Sequence, residues 1–380
     1  MQIYLVGGAI RDRLLGLPTP YEQDWVVVNG TPDELINKGY IKVGKSFPVF
    51  INPESGEEYA LARTERKTGE GYHGFEFDAG PDVTLEEDLS RRDLTINAIA
   101  ENQDGSLFDP FNGQKDIENK TLRHVSDAFK EDPLRVLRIA RFKAKLSPLD
   151  FVIAAETKTL INEIVDRGEL SSLVPERTWL ETEKVLKGVG FNEYFKTLIE
   201  FKALDDTYPD LADLDVDFFS HPIIQKAADE DHSKQFRFAS IFYALIKKGK
   251  TNVKDKLESM QNNMRFSNAY KDIPILLINS FDLIQSDLSD YSAEHLLTIL
   301  EKLDAIRRPK NLEEILNLLL LDADDNFMQK KNLLQLSLNL VKNIKINNLK
   351  ESGLEGSEIA NKLREIRLIA ITKEIENSNI

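Results

Sequence analysis

Two hydrophobic periods divide this chain. In its first third the apolar residues come as short runs broken by turn formers, which is the signature of strands. Trp25-Val26-Val27-Val28 is one such run, Phe47-Pro48-Val49-Phe50-Ile51 a second and Glu58-Tyr59-Ala60-Leu61-Ala62 a third. The second and third flank a turn around Pro53-Glu54-Ser55-Gly56, so residues 24–28, 47–51 and 58–62 predict a small antiparallel or mixed sheet. Residues 64–80 are rich in Gly, Lys and Glu and predict a mobile loop. From about residue 132 the spacing changes to three and four. Helices are predicted over 133–145, 175–187, 236–248, 293–303, 311–321 and 355–373. There is no internal repeat and no long low-complexity tract. The pattern is that of an α/β head followed by a helical body.

Composition narrows the possibilities. At 380 residues the chain exceeds one ordinary core, so two or three domains are expected. The hydrophobic fraction of 41% is normal for a folded protein, and no apolar run approaches the roughly 18 residues that span a bilayer. Met1–Val6 leads straight into the first motif, with no signal-peptide pattern. With no cysteine there is no thiol nucleophile, disulfide framework or cysteine zinc site. A cytoplasmic enzyme is expected. The net charge of −15 argues against a nucleic-acid partner at first sight. Its distribution reopens the question, because Arg135, Arg138, Arg141, Lys143 and Lys145 cluster, as do Arg91 with Arg92 and Arg63 with Arg66 and Lys67.

The candidate chemistry begins at Gly7-Gly8-Ala9-Ile10-Arg11-Asp12. A Gly-Gly turn lets backbone amides approach an anion, and Arg11 stands one turn further on, able to grip a phosphate. Glu22 and Asp24 run into the strand at Trp25. Side chains two apart on a strand point the same way, so these two carboxylates can share a metal ion. The same pair also suits a solvated strand mouth. Glu58 opens a strand of its own and would bring a third acid if that strand neighboured 24–28, which is how two Mg²⁺ ions are held. Glu57 and Glu65 compete for that third place.

Arg91-Arg92-Asp93-Leu94-Thr95-Ile96-Asn97-Ala98 is a dense polar cluster. It reads either as a helix entrance capped by Asp93 with solvated arginines, or as an Arg for a triphosphate with Asp93 or Asn97 for a ribose hydroxyl. In Glu131-Asp132-Pro133-Leu134-Arg135, Asp132 is the expected N-cap and Pro133 the first helical residue. Arg135, Arg138 and Arg141 then share one side of the helix. That side is an exposed basic face or a nucleotide wall. A carboxylate accepts from an exocyclic amino group while an Arg donates to ring nitrogens and carbonyls, so Asp132 and Arg135 together can mimic the pairing edge of a template base. The five histidines are scattered without metal-ligand spacing.

Taken together, these segments resemble the bacterial class II CCA-adding tRNA nucleotidyltransferases, most closely the gamma-proteobacterial type. The stretches that carry the likeness are Tyr4–Pro18, Asp24–Val28, Gly39–Lys67, Asp82–Ala100, Asp109–Gly113, Leu122–Phe142 and Pro175–Glu183. The resemblance implies an α+β fold: a polymerase-β-like nucleotidyltransferase head over 1–130, a helical neck over 131–205 carrying the nucleotide-selecting helix, and a helical body and tail over 206–380. It implies tRNA, CTP and ATP as partners and Mg²⁺ as cofactor. By match, Gly8 and Arg11 would contact the triphosphate, Glu22 and Asp24 the metal, and Arg92 the nucleotide. Asp132 and Arg135 would select the base, with Arg138 and Arg141 in support. The stretch Arg63–Gly74 resembles a flexible element that re-shapes the pocket between C and A.

Two departures stand out. The family pattern is Asp-x-Asp where this chain has Glu22-Gln23-Asp24, one methylene longer at a site for an ion that demands tight geometry. The helix Arg237–Phe242 continues with Tyr243-Ala244, where relatives with a phosphohydrolase domain carry a His-Asp pair. His221 alone remains at the matching upstream position, so a degenerate region without hydrolase activity is expected. The rival readings are a CC- or A-adding enzyme, a poly(A) polymerase, or a non-catalytic tRNA-binding relative.

Overall fold

The structure, a computed structural model, describes residues 1–18, 23–43, 49–67, 75–344 and 357–377, without the side chains of 65–67 and 75–77. It forms two compact units, Met1–Val216 and Asp217–Ile380. Among the described residues no helix is long and apolar enough to cross a membrane.

Unit 1 is built on a mixed sheet larger than the three strands predicted. In chain order its strands are β1 (Gln2–Val6), β2 (Asp24–Val28), β3 (Ile41–Val43), β4 (Val49–Ile51) and β5 (Glu58–Leu61). Beyond a hairpin of β6 (Thr64–Lys67) and β7 (Phe75–Asp78) come β8 (Ala100–Glu101) and β9 (Leu107–Phe108). The sheet order is β3-β4-β5-β2-β1-β8-β9. Among the described residues its one parallel pair is β2 with β5, in the register Asp24↔Glu58 through Val27↔Leu61. The mobile loop expected over 64–80 is corrected by the β6–β7 hairpin, in which Thr64 pairs with Asp78 and Lys67 with Phe75. Thr64–Lys67 carries no apolar residue to mark it as a strand, and the alternation of Phe75-Glu76-Phe77-Asp78 spans only four residues. Positions 68–74 of the re-shaping element lie outside the described residues, as does Glu22.

The alternation of side chains gives the sheet two apolar faces. Val6, Val26, Val28 and Ala62 pack on one face with Leu89 and Ala98. Leu89 comes from the helix Leu85–Ser90. Val27, Phe50, Tyr59 and Leu61 pack on the other with Leu35. The helices over the sheet are α1 (Gly8–Leu14), α2 (Pro32–Asn37), α3 (Leu85–Ser90) and α4 (Gly113–Glu118). Thr31 and Thr84 begin α2 and α3 with reciprocal capping boxes to Glu34 and Glu87, satisfying backbone donors a helix start leaves orphaned.

The rest of unit 1 is helical: α5 (Leu134–Leu146), α6 (Ala155–Asp166), α7 (Pro175–Leu186), α8 (Phe191–Glu200) and α9 (Leu204–Thr207). Phe191, Tyr194, Phe195 and Leu198 of α8 are fully buried and form the apolar floor beneath α5. Asp132 lies two residues before the first helical residue yet accepts a hydrogen bond from the Leu134 amide at 3.1 Å. It does the capping work expected of it, with the helix starting one residue later.

Unit 2 is a helical stack. After α10 (Val216–Phe219) come α11 (Pro222–Asp229), α12 (Lys234–Lys247), α13 (Val253–Met264), α14 (Asp272–Gln285), α15 (Ala293–Lys302), α16 (Pro309–Leu320) and α17 (Asp325–Val341), then a last helix over Ser357–Asn377. The predicted helices here fall within a few residues of those observed, as helix ends generally do. In α12, Phe242, Tyr243 and Ala244 are buried apolar residues, and His221 caps α11 by accepting from the Ile223 amide at 3.3 Å. His124 and His295 are likewise hydrogen-bonded within the fold.

Candidate active site

One end of the sheet gathers segments that are far apart in sequence. β1 and β2 are antiparallel with Val6 opposite Asp24, so the end of the first strand and the start of the second coincide. Immediately after Val6, Gly7 adopts φ +78° and turns the chain into α1. A side chain is strained there, and a Cβ on Gly7 would sit 3.1 Å from Arg92 Nη1. The Gly7 amide donates to Ile99 O at 3.2 Å, which fixes the segment of Asn97 beside the turn. On the other side of β2, Glu58 lies opposite Asp24. Parallel register puts both carboxylates on one face of adjacent strands.

This end of the sheet opens into a cleft of about 460 Å³. Its walls include Gly7, Gly8, Asp24, Asp93, Asn97 and Asp132, together with seven arginines: Arg11, Arg91, Arg92, Arg135, Arg138, Arg141 and Arg177. All the predicted nucleotide-binding residues therefore meet in one place. Of the predicted catalytic acids, Asp24 lines the cleft and Glu58 is its strand neighbour outside the lining.

The cleft wall is a continuous hydrogen-bonded relay. Arg11 donates to Asn97 Oδ1 at 2.5 Å, and Asn97 Nδ2 donates to Asp93 Oδ1 at 3.0 Å. Arg138 Nε donates to Asp93 Oδ2 at 2.8 Å, with Nη2 in ion-pair contact at 2.7 Å. Behind it, Arg141 Nε donates to Glu181 Oε2 at 2.5 Å, with Arg138 Nη1 3.8 Å from the other Glu181 oxygen. Asp12 accepts from Arg11 at 2.8 Å and from Lys145 at 2.9 Å. Asp88 accepts from Arg91 at 2.6 Å and lies 3.3 Å from Arg92. The Phe142 ring lies under the guanidinium groups of Arg11, Arg138 and Arg141, at 5.1, 5.9 and 4.2 Å from its centroid. Such stacking favours cations where water is scarce.

These contacts correct two bland expectations. Asp93 does not cap a helix entrance: the short turn that follows, Thr95–Asn97, starts from Leu94 without a side-chain cap, and Arg91 and Arg92 are held by Asp88 rather than solvated. Nor do Arg135, Arg138 and Arg141 form an exposed basic face. Arg135 is 9% exposed, donates to the Arg91 carbonyl at 2.5 Å, and its guanidinium faces the Phe129 ring.

Electrostatics follow the burial. Desolvation alone would raise the Asp93 pKa, but Arg138 and the Asn97 amide hold it far below the usual carboxylate range. Glu181 is lowered in the same way, burial being overcome by Arg141 and Arg138. Asp93 in turn raises Arg138. The interior acids are thus anions dedicated to orienting arginines. Arg92 Nε is buried with no hydrogen-bond partner among the described residues. An unmet buried donor in a cleft wall is costly and marks a place for an acceptor from a ligand.

Sequence reasoning missed Arg177, Glu181 and Phe142. Arg177 Nη2 donates to Asp132 Oδ2 at 2.9 Å, so the two charges fix each other at the rim. The signal was present, because Arg177 and Glu181 are four apart on a helix and must face the same way, yet nothing in the sequence said what that face meets.

Asp24 and Glu58 offer hard carboxylate oxygens of the kind a divalent cation such as Mg²⁺ takes. Among the described residues no third His, Cys, Asp or Glu completes a group able to hold a metal. The donor chemistry fits, with Glu22 as the remaining acid of the set.

Residues 3–123 match the family described as the poly A polymerase head domain, so unit 1 carries a nucleotidyltransferase head. Along the whole chain, a CCA-adding enzyme of Actinobacillus succinogenes is 40% identical over 98% of both proteins. The chain belongs to the CCA-adding enzymes, a family whose nucleotidyl transfer uses divalent metal ions. Solved structures share the fold at lower identity. A CCA-adding enzyme of Bacillus stearothermophilus in complex with CTP superposes with a TM-score of 0.69 at 22% identity, over 98% of this chain and 89% of that one. One of Thermotoga maritima complexed with tRNA gives 0.65 at 20%, over 100% and 92%.

Proposed function

We propose that this enzyme builds or repairs the 3′-terminal CCA of tRNA from CTP and ATP. The tRNA 3′-hydroxyl attacks the α-phosphorus, a P–O bond forms, and the bond to the departing pyrophosphate breaks. One observation carries the reading: seven arginines and a single relay of buried acids surround a cleft whose mouth holds Asp24. An arginine-lined wall with pre-set orientation binds a polyphosphate and stabilises the charge that develops on it.

Arg11 and Arg92, with the Gly7-Gly8 turn, take the triphosphate. Asp93 and Asn97 hold the wall in shape, and the ribose meets the Asn97 side of it. Asp132 and Arg135 present an acceptor and a donor to the base, a combination that suits the amino group shared by C and A. Arg177 keeps Asp132 in that orientation, while Arg138 and Arg141 support the wall. Asp24, Glu22 and Glu58 would hold Mg²⁺, which when bound activates the attacking hydroxyl and neutralises the phosphates. We further assign residues 1–130 as head, 131–205 as neck and 206–380 as body and tail, and the cytoplasm as the site of action.

The test is incorporation of labelled CTP and ATP into tRNA ending before CCA, with Mg²⁺ and then Mn²⁺, resolved to single nucleotides. Addition of C, C and A with a stop at three supports the reading. Addition of C alone, or a long A tail, replaces it with the partial enzyme or the polymerase. Normal tRNA binding without incorporation under either metal makes the chain a binding protein.

A further inference from the structure

We infer that the corner between α12 and α13 is a docking surface for the phosphate backbone of duplex RNA. In a chain of net charge −15, residues 247–256 hold five lysines and one acid, Asp255. Lys247, Lys248, Lys250 and Lys254 are exposed. Lys247 is paired with Asp322 at 2.8 Å, while Lys248 and Lys254 make no ion pair among the described residues.

The corner is built rather than loose. Gly249 takes φ +68° and its amide closes onto Ile246 O, and the Lys250 amide onto Leu245 O. Leu245, Val253 and Leu257 are buried on its inner side. The backbone of the corner is therefore already ordered, and only the lysine side chains lose freedom when a partner engages them.

Helix electrostatics explain only half of the charge. Lysines at the C-terminal end of α12 complement its dipole. Lys254 and Lys256 stand in the first turn of α13, the end where cations are disfavoured. Their placement makes sense against an external polyanion. Lysine is a flexible point charge without the planar fork that reads bases, so backbone phosphates are the fitting target.

This inference rests on the reading of the chain as a tRNA enzyme. The experiment measures binding of tRNA lacking CCA to the full chain across a salt series, for wild type and for Lys248→Gln/Lys254→Gln. The slope of log affinity against log salt should fall by about two, one for each lysine. Affinity should weaken several-fold, while kcat at saturating tRNA and KM for CTP stay unchanged. Lys248→Arg/Lys254→Arg should keep the slope, and removing exposed charge elsewhere with Lys302→Gln/Lys310→Gln should leave it intact. An unchanged slope in the first variant, an equal loss in the second glutamine pair, or a changed KM for CTP would overturn the assignment. A loss of binding to poly-glutamate but not to tRNA would overturn it in favour of an acidic protein partner. A wild type that binds tRNA but adds no nucleotide would reject the enzymatic reading alone, since the salt comparison still stands.

Discussion

Replacing Asp93 by Asn would remove one charge from the centre of the relay while keeping its shape. Asp93 is 6% exposed and accepts three hydrogen bonds. Two reach Oδ1, from the Leu94 amide at 2.9 Å and Asn97 at 3.0 Å. One reaches Oδ2, from Arg138 Nε at 2.8 Å, and Arg138 Nη2 stands 2.7 Å from the same oxygen as an ion-pair contact. An asparagine has one acceptor oxygen, so whichever way it turns, its NH₂ confronts donors. Removing one partner of a buried ion pair costs about 3–5 kcal/mol. Arg138 keeps a third of its side chain exposed and has Glu181 at 3.8 Å, which puts the expected loss at the low end, about 3 kcal/mol. Both tryptophans, Trp25 and Trp179, lie in unit 1, so urea unfolding followed by tryptophan fluorescence reports this unit alone. The pH dependence has a definite sign. Because the folded Asp93 pKa is depressed, its contribution is complete above the unfolded carboxylate value near 4 and is lost as pH falls through the folded value. The gap between wild type and variant should therefore be full at pH 7 and shrink below about pH 4. A loss under about 1 kcal/mol at neutral pH, or a gap that does not narrow in acid, would refute the argument.

Asp24→Ala should leave the melting temperature unchanged, since Asp24 is exposed. It should still cut nucleotide incorporation by several kcal/mol of transition-state stabilisation, on the order of a thousandfold; incorporation at the wild-type rate would remove Asp24 from the metal set. Arg135→Ala should blur the choice between CTP and ATP more than it weakens tRNA binding, measured by competition between labelled nucleotides. Arg177→Ala should do the same more weakly, because Asp132 keeps its contact to the Leu134 amide; selectivity unchanged in both would exclude the rim as the base reader. Gly113→Ala would drive a Cβ into the Thr95 carbonyl oxygen. It should abolish soluble expression or cost well over the roughly 1–3 kcal/mol of ordinary overpacking, read from yield and far-ultraviolet dichroism.

The sequence alone determined the elements with strong periodicity and the residue types of the cleft. Three- and four-residue spacing located α5, α7, α12 and the last helix to within a few residues, because a buried helix must repeat its apolar face. The Gly-Gly turn, Asp24, Asn97 and the arginines of α5 were visible because each segment carries its chemistry locally. What the sequence did not contain was the partner of each group. The strands Thr64–Lys67 and Phe75–Asp78 are too short, and the first too charged, to show, and β8 joins the sheet only through β1, a strand distant in the chain. That Asp24 stands opposite Glu58 follows from the parallel register of β2 with β5, and side-chain alternation cannot specify which strands pair. Likewise Arg138 was legible as a basic residue on a helix. Only the packing of α5 against residues 93–97 and α7 made it a half-buried cation between Asp93 and Glu181, because ion pairing in a low-dielectric wall depends on distances no linear pattern encodes.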